Sequence, residues 1–388
     1  MRKALLILMV VTPALVSSIT LAQNPGYILV NNNNPTANST SAFKLNAAGT
    51  FSPLTTLPTG GEGGNTYFGQ PGIAIENSAH CLFVADPETS DIAAFQGPGF
   101  KQVLPDFTNS QLNGSYAGIT LAVDPAGKFL YTAWTASKNL AVLAIAPDCS
   151  LSLVGTPVSQ PDVVVDLTLT HDGKVMVVSY PNIGGAQAYK ISSEGTLSPL
   201  GSELIFKSAI AACASIGCSP TGQDVTDDGV YWVWGSFVTA PSTLTATLTT
   251  KGFTNAALQT YPDSALYNVT TPRFSPVAAK TDAGNLYLGA TGDYGPFLPA
   301  GIIVTTFDKG TITYDGEVAN TVAFLAGLVQ TIGTQGTGSP LVQSAIDLEG
   351  NTTLYSYTVD GTSLTPSSTS QDTDGIDAFS ITAFPGRP

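Results

Sequence analysis

Apolar and polar positions recur along the chain in a fixed order: an alternating strand, a tight turn, then a shorter strand rich in Ser, Thr and Leu. In the clearest copy, residues 41–46 alternate, turn at Gly49 and continue into Thr50-Phe51-Ser52-Pro53-Leu54. Residues 186–191 turn at Gly195 into Thr196-Leu197-Ser198-Pro199-Leu200, and residues 354–358 turn at Gly361 into residues 362–366. Equivalent turns fall at Gly99, Cys149, Gly252 and Gly310, so successive turns lie 46 to 58 residues apart. A second hairpin precedes each turn, two apolar strands around a turn built on Asp and Gly, as in residues 122–131, 169–178, 226–234 and 281–288. Alternation with a period of two, punctuated by turn residues, predicts β-strands rather than helices.

Each repeat then holds four short strands in roughly 50 residues, which is the period of a propeller blade. A four-stranded sheet cannot cover both of its own faces, but sheets packed radially cover one another and leave only short edges. The prediction is an all-β, seven-bladed β-propeller with four-stranded blades. The chain ends point to closure. Residues 27–31 read as the second strand of a blade with no inner strand before them, and residues 377–384 supply the missing strand, so the C-terminal strand closes blade one. The seventh blade is the least regular, because residues 324–330 fit either a strand or a short helical insertion.

The N-terminus reads differently. Arg2 and Lys3 precede an apolar run from residue 4 to residue 16, broken by Thr12 and Pro13, and Thr20-Leu21-Ala22 places small residues before Gln23. This predicts a secretory signal over residues 1–22, cleaved after Ala22, and a single propeller domain over residues 23–388 in a secreted or periplasmic protein. An uncleaved anchor is the alternative, against which Pro13 and the small residues argue; no later apolar run is long enough to span a bilayer.

Composition narrows the partners. Of 388 residues, 14 are Lys or Arg and 28 are Asp or Glu, for a net charge of −14. Nucleic acid requires clustered cations and is excluded as a partner, and anionic membrane surfaces are disfavoured. A small molecule, a carbohydrate or another protein remains, with a monomer as the expected state. Export changes the reading of the cysteines: Cys213 and Cys218, in a small-residue loop, are placed to form a local disulfide. Cys81 sits in an apolar strand and reads as a buried small hydrophobe, and Cys149 occupies a turn. The cysteine and histidine spacing offers no structural zinc site.

With Tyr27-Ile28-Leu29-Val30-Asn31, the run from Gly49 to Leu54 leading to Thr59-Gly60-Gly61, the Asp-x-x-Gly turns and the second Gly-Thr-Leu-Ser-Pro-Leu at Gly195, the chain resembles the lactonase-like seven-bladed β-propellers. That group includes 6-phosphogluconolactonase, carboxymuconate-cyclising relatives and secreted proteins with Tyr-Val-Thr-Asn-type repeats. The resemblance implies the propeller fold and, in its enzymatic branch, opening of a lactone ring by His, Arg and acidic groups at one mouth of the central channel.

The candidate chemistry is sparse. His80 and His171, the two histidines, fall in or beside the turns joining the first two strands of a blade. A turn role is the simpler reading there and a general base the alternative. Loops leading into the inner strands should ring the channel mouth and carry function. They supply Glu62, Asn65, Tyr67, Asp106, Asp166, Asp224 and Arg273 as candidate ligand-binding residues, an acidic ring around one arginine that suits a polyol, a sugar or a cation. His171, Arg273 and Glu62 are the candidate catalytic groups. Asp372, Asp374 and Asp377 are candidate ligands for calcium, whose oxygen-only preference they match, although Asp-Gly is also ordinary turn chemistry. No other cofactor is implied. Trp134, Trp232 and Trp234 read as packing between blades. The expected function is a binding or interaction module with its ligand at the channel mouth, and lactone hydrolysis is the alternative.

Overall fold

In the computed structural model the chain is described from residue 26 to residue 384, apart from residues 47, 65–69, 77, 79, 98, 116–117, 238–241, 261–274, 283, 292–299, 320–324, 332–339, 348–349 and 377–379. Seven antiparallel sheets form a ring, each with four strands laid in up-and-down order. Blade 1 has Ile381–Phe384 innermost, followed outward by Gly26–Asn31, Ser39–Leu45 and Phe51–Pro58. The closure expected from the chain ends is therefore present, with Ile28 opposite Ala383 and Val30 opposite Ile381. In blade 7 the ambiguous stretch is a strand, Leu325–Thr331, paired with Pro340–Ile346. Blade 4 carries an extra short strand, Leu204–Ile205, on Gly185–Ile191.

The hydrophobic residues do not form one core. They divide into seven clusters, each shared by two neighbouring blades. Alternation along a strand sends successive side chains to opposite neighbours. In Cys81–Asp86 of blade 2, Leu82 and Val84 pack toward blade 1, while Cys81, Phe83 and Ala85 pack toward blade 3. In blade 5, Trp232 and Trp234 face blade 4 and Val233 faces blade 6. This is why the middle strands read as continuous apolar runs: both of their faces are buried. The three tryptophans are completely buried between blades.

The turns that join third and outer strands set the repeat because their backbone is left-handed. The six glycines at these positions have φ between 60° and 107°. Cys149 takes the seventh at φ 67°, a conformation that costs a residue with a side chain. It is held there by a disulfide to Cys81, 68 residues away in sequence, with a Cα–Cα distance of 5.5 Å. Cys81 is thus a bridge partner and not the free buried hydrophobe that its apolar strand suggested. The pairing arises only when the second strand of blade 2 lies beside the last turn of blade 3. Cys213 and Cys218 are also joined, but their segment is not a plain loop. Residues Phe206–Ala209 and Ala211–Ile216 are short helices, in keeping with the high helix propensity of alanine. Among the described residues no helix is long and apolar enough to cross a membrane.

The two bridges close loops of very different length, and their removal should cost accordingly. Replacing Cys81 and Cys149 together by Ala is expected to lower unfolding free energy by about 2–4 kcal/mol, and the Cys213/Cys218 pair by less. Urea midpoints measured on both double variants check the order, and equal losses would contradict it.

Candidate functional site

The inner strand of each blade is a sheet edge, with unpaired N–H and C=O groups turned toward the channel. Here the neighbouring blades supply the partners. The Ser380 hydroxyl accepts from the Gly72 N–H at 2.8 Å and donates to the Gln70 carbonyl at 2.6 Å, tying blade 1 to blade 2. The Gln70 amide donates to Thr135 Oγ1 at 2.9 Å, and that hydroxyl donates to the Val164 carbonyl at 3.2 Å, reaching the loop that leads into blade 4. The belt continues with Asp166, first residue of the inner strand Asp166–Leu169, whose Oδ2 accepts from the Gln223 N–H at 2.7 Å.

Gln223 belongs to Ser219–Val225, the inner strand of blade 5, and is fixed at both ends of its side chain. Its Nε2 donates to the Val177 carbonyl at 2.7 Å and its Oε1 accepts from Trp234 Nε1 at 2.6 Å. The next residue, Asp224, pairs with Lys280 of blade 6 at 3.3 Å. Both side chains are largely withdrawn from solvent, with 7% and 17% exposed. Lys280 is the only basic residue on the seven inner strands. Burial drives the Asp166 carboxyl well above the usual carboxylate range. The Gln223 N–H opposes that shift, the Asp224 charge adds to it and Lys280 relieves part of it. The group Asp166–Asp224–Lys280 therefore sets a carboxyl whose burial favours its protonated form beside a largely buried ion pair.

A second acidic group lies away from the channel, between the upper ends of blades 1 and 2. Asp86 and Asp91 close the hairpin of Cys81–Asp86 and Asp91–Gln96, directly opposite each other. Asp86 Oδ1 accepts from Asn38 Nδ2 at 2.6 Å and Thr59 Oγ1 at 2.9 Å. Asp86 Oδ2 and Asp91 Oδ1 are buried without a donor among the described residues, so a proton held between the two carboxyls satisfies both. Burial first, then the Asp91 charge, pushes Asp86 up to about 8, and burial raises Asp91 as well. The loop backbone packs against this pair: a Cβ on Gly61 would stand 2.6 Å from Asp86 Oδ2, which leaves room only for glycine.

The structure sorts the sequence candidates. Asp166 and Asp224 converge, with Lys280 as their cationic partner. Glu62 and Asp106 instead border the Asp86–Asp91 pair. The Glu62 N–H donates to Thr89 and its carbonyl accepts from the Glu88 N–H, which pins this exposed residue over the hairpin turn. Asp106 is on Lys101–Thr108, the outermost strand of blade 2, where its carboxylate accepts from Gln102. Asn65, Tyr67, Arg273 and Asp377 lie outside the described residues. Asp372 and Asp374 belong to the outer strand Ser363–Ile376, not to a turn, because residues 363–376 pair along blade 7.

Both histidines are at the end of the ring opposite the loops that lead into the inner strands. His80 donates from Nε2 to the Pro147 carbonyl at 2.8 Å, and His171 Nδ1 is 3.6 Å from Asp227. Asp86, Asp91 and Lys280 escaped sequence reasoning. For the aspartates a signal exists, since Asp86-Pro87-Glu88-Thr89-Ser90-Asp91 places like charges symmetrically about a turn, where register sets them face to face at a cost. For Lys280 the signal is the one lysine in an apolar inner-strand run that ends at Asp282.

No known protein-family model matches the chain, and no curated protein matches it either. Solved structures do. A Lactobacillus plantarum protein superposes with a TM-score of 0.67 at 18% identity, covering 93% of this chain and 100% of its own. A candidate 6-phosphogluconolactonase from Bacteroides uniformis gives 0.68 at 11% identity, covering 93% and 100%. The periplasmic gluconolactonase of Pseudomonas aeruginosa gives 0.63 at 12%, covering 92% and 99%. The fold is that of the lactonase-like seven-bladed propellers.

The Asp86 carboxyl makes stability depend on pH. A carboxyl whose folded pKa is raised contributes stability that is complete below its unfolded value of 3.8 and lost as pH rises through about 8. Asp86→Asn keeps the acceptor for Asn38 and Thr59 and offers Asp91 an N–H. Its melting temperature is expected to exceed that of the wild type at pH 9, by an amount on the order of 1 kcal/mol or more in stability, with the gap closing by pH 5. Parallel melting curves across that range check it, and a gap that widens toward acid would contradict the shared proton.

Proposed function

We propose that the protein is a binding module that takes an uncharged, hydroxyl-rich ligand at the mouth of its channel. The observation that carries this reading is that Lys280, the one cation on the inner strands, is committed to Asp224 at 3.3 Å and largely withdrawn from solvent. A phosphorylated ligand wants several free cationic donors, and with Lys280 paired to Asp224 the inner strands offer none. A sugar or polyol wants alternating acceptors and donors on a rigid frame, which the belt of Ser, Thr and Gln side chains between inner strands provides.

Hydrolysis of an uncharged sugar lactone is the second reading. It is favoured by the same cluster, since a carboxyl whose pKa is raised by burial, beside an ion-paired carboxylate, is an acid–base arrangement. The gluconolactonase among the structural neighbours is named for an uncharged polyol ester of this kind.

The two readings separate in one experiment. Titration calorimetry with glucono-1,5-lactone and with neutral monosaccharides, alongside ring opening followed in a pH-stat, is run on wild type, Lys280→Met and Asp166→Asn. Saturable binding weakened about tenfold or more by Lys280→Met, with ring opening no faster than in buffer, is the expected result. Ring opening accelerated by wild type and abolished in Asp166→Asn would replace binding by catalysis.

A further inference from the structure

At the rim opposite the mouth, six of the seven joints between blades are bolted beneath the turn that ends the third strand, by different means. Between blades 2 and 3 it is the Cys81–Cys149 bridge with the His80 contact to Pro147. Between blades 3 and 4 the Phe129 ring fills the space under Gly195, where a Cβ would meet it at 2.9 Å. Between blades 5 and 6 the Tyr231 ring lies 3.4 Å from a Cβ on Gly310 and packs edge-on against Phe307. Gly201 and Gly252 backbones touch between blades 4 and 5. Asn285 donates to the Gly361 carbonyl between blades 6 and 7, and Ser356 donates to the Gly49 carbonyl between blades 7 and 1.

Among the described residues the joint of blades 1 and 2 has no such bolt. A Cβ on Gly99, the turn of blade 2, would meet nothing within 4 Å. The residue placed to fill it is Tyr27, opposite Lys44, five residues before the Gly49 turn. Phe129 opposite Ala144 and Tyr231 opposite Thr247 hold the same position in blades 3 and 5, five residues before Cys149 and Gly252. There the ring plugs the joint; here Tyr27 lines the wall of a cavity of about 580 Å³. Leu29, Ala42, Leu54, Ile75 and Phe100 complete most of that wall. Leu54 is one of only two large apolar side chains exposed among the described residues. Among the described residues no carboxylate or ammonium group lines the cavity, in a chain of net charge −14. His80 is on the wall, and because its Nε2–H is given to Pro147, Nδ1 is the ring nitrogen left to accept a hydrogen bond.

We propose that this inter-blade cavity is a binding site for a neutral aromatic molecule carrying one hydrogen-bond donor, which occupies the place that Phe129 and Tyr231 fill elsewhere in the ring. The volume is that of ordinary small-molecule pockets, and an apolar wall with one oriented polar group is how such pockets fix a ligand. The site is at the opposite end of the ring from the channel mouth, so it does not rest on the reading given above.

The probe is N-phenyl-1-naphthylamine, neutral, aromatic, with a single N–H and fluorescent in apolar surroundings. Titrated into the purified protein it should give a saturable rise with one site per chain. Thr55→Trp, at an exposed position on the cavity rim, should weaken binding more than about tenfold by filling the space. His80→Phe, which keeps the ring and removes the acceptor, should weaken it about three- to tenfold. Unchanged melting curves for both variants show that the fold is kept. No saturable rise, or a rise indifferent to Thr55→Trp in a folded variant, overturns the proposal.

Discussion

Everything in this molecule depends on the burial of both faces of a four-stranded sheet by its two neighbours. No blade has a core of its own. Each of the seven apolar clusters belongs to two blades, so each blade is stable only between its neighbours, and the ring must close for the first and last to be covered. Pairing of Ile381–Phe384 with Gly26–Asn31 performs that closure and places residues more than 300 positions apart in one sheet. Loop closure of that span costs chain entropy that only the completed ring offsets.

The same constraint organises the polar groups. Because inner strands are edges, their unpaired backbone groups have to be answered from the next blade, and Ser380, Thr135 and Asp166 do so. The belt is therefore the joinery of the inner strands. At the opposite rim the joints are closed by a disulfide, aromatic rings, glycine contacts and hydrogen bonds, and the one joint without such a bolt among the described residues is a cavity. Differences among nominally equivalent blades, more than the repeat itself, are where function is to be sought.

Most of the architecture was legible in the chain. The spacing of Gly49, Gly99, Cys149, Gly195, Gly252, Gly310 and Gly361 reflects a backbone requirement for positive φ, which few residues meet cheaply. The closing strand showed as an orphan second-strand pattern at one end and a spare strand at the other. The site was legible only in part. Asp166 and Asp224 carried a readable signal, but Glu62 and Asp106 were grouped with them on the assumption that all loops leading inward surround the channel. Glu62 is instead held over a hairpin turn, and Asp106 is on an outermost strand.

Local sequence determined the strands, the turns and the number of blades, because strand alternation and left-handed turns are properties of a few consecutive residues. It also determined the shortage of cationic groups that shapes the proposed ligand. Only the tertiary structure decided which residues face one another across blades: Cys81 with Cys149, Asp86 with Asp91, Asp224 with Lys280. Those contacts depend on the stagger of one sheet against the next, which is set by the packing of the whole ring and is written in no single repeat.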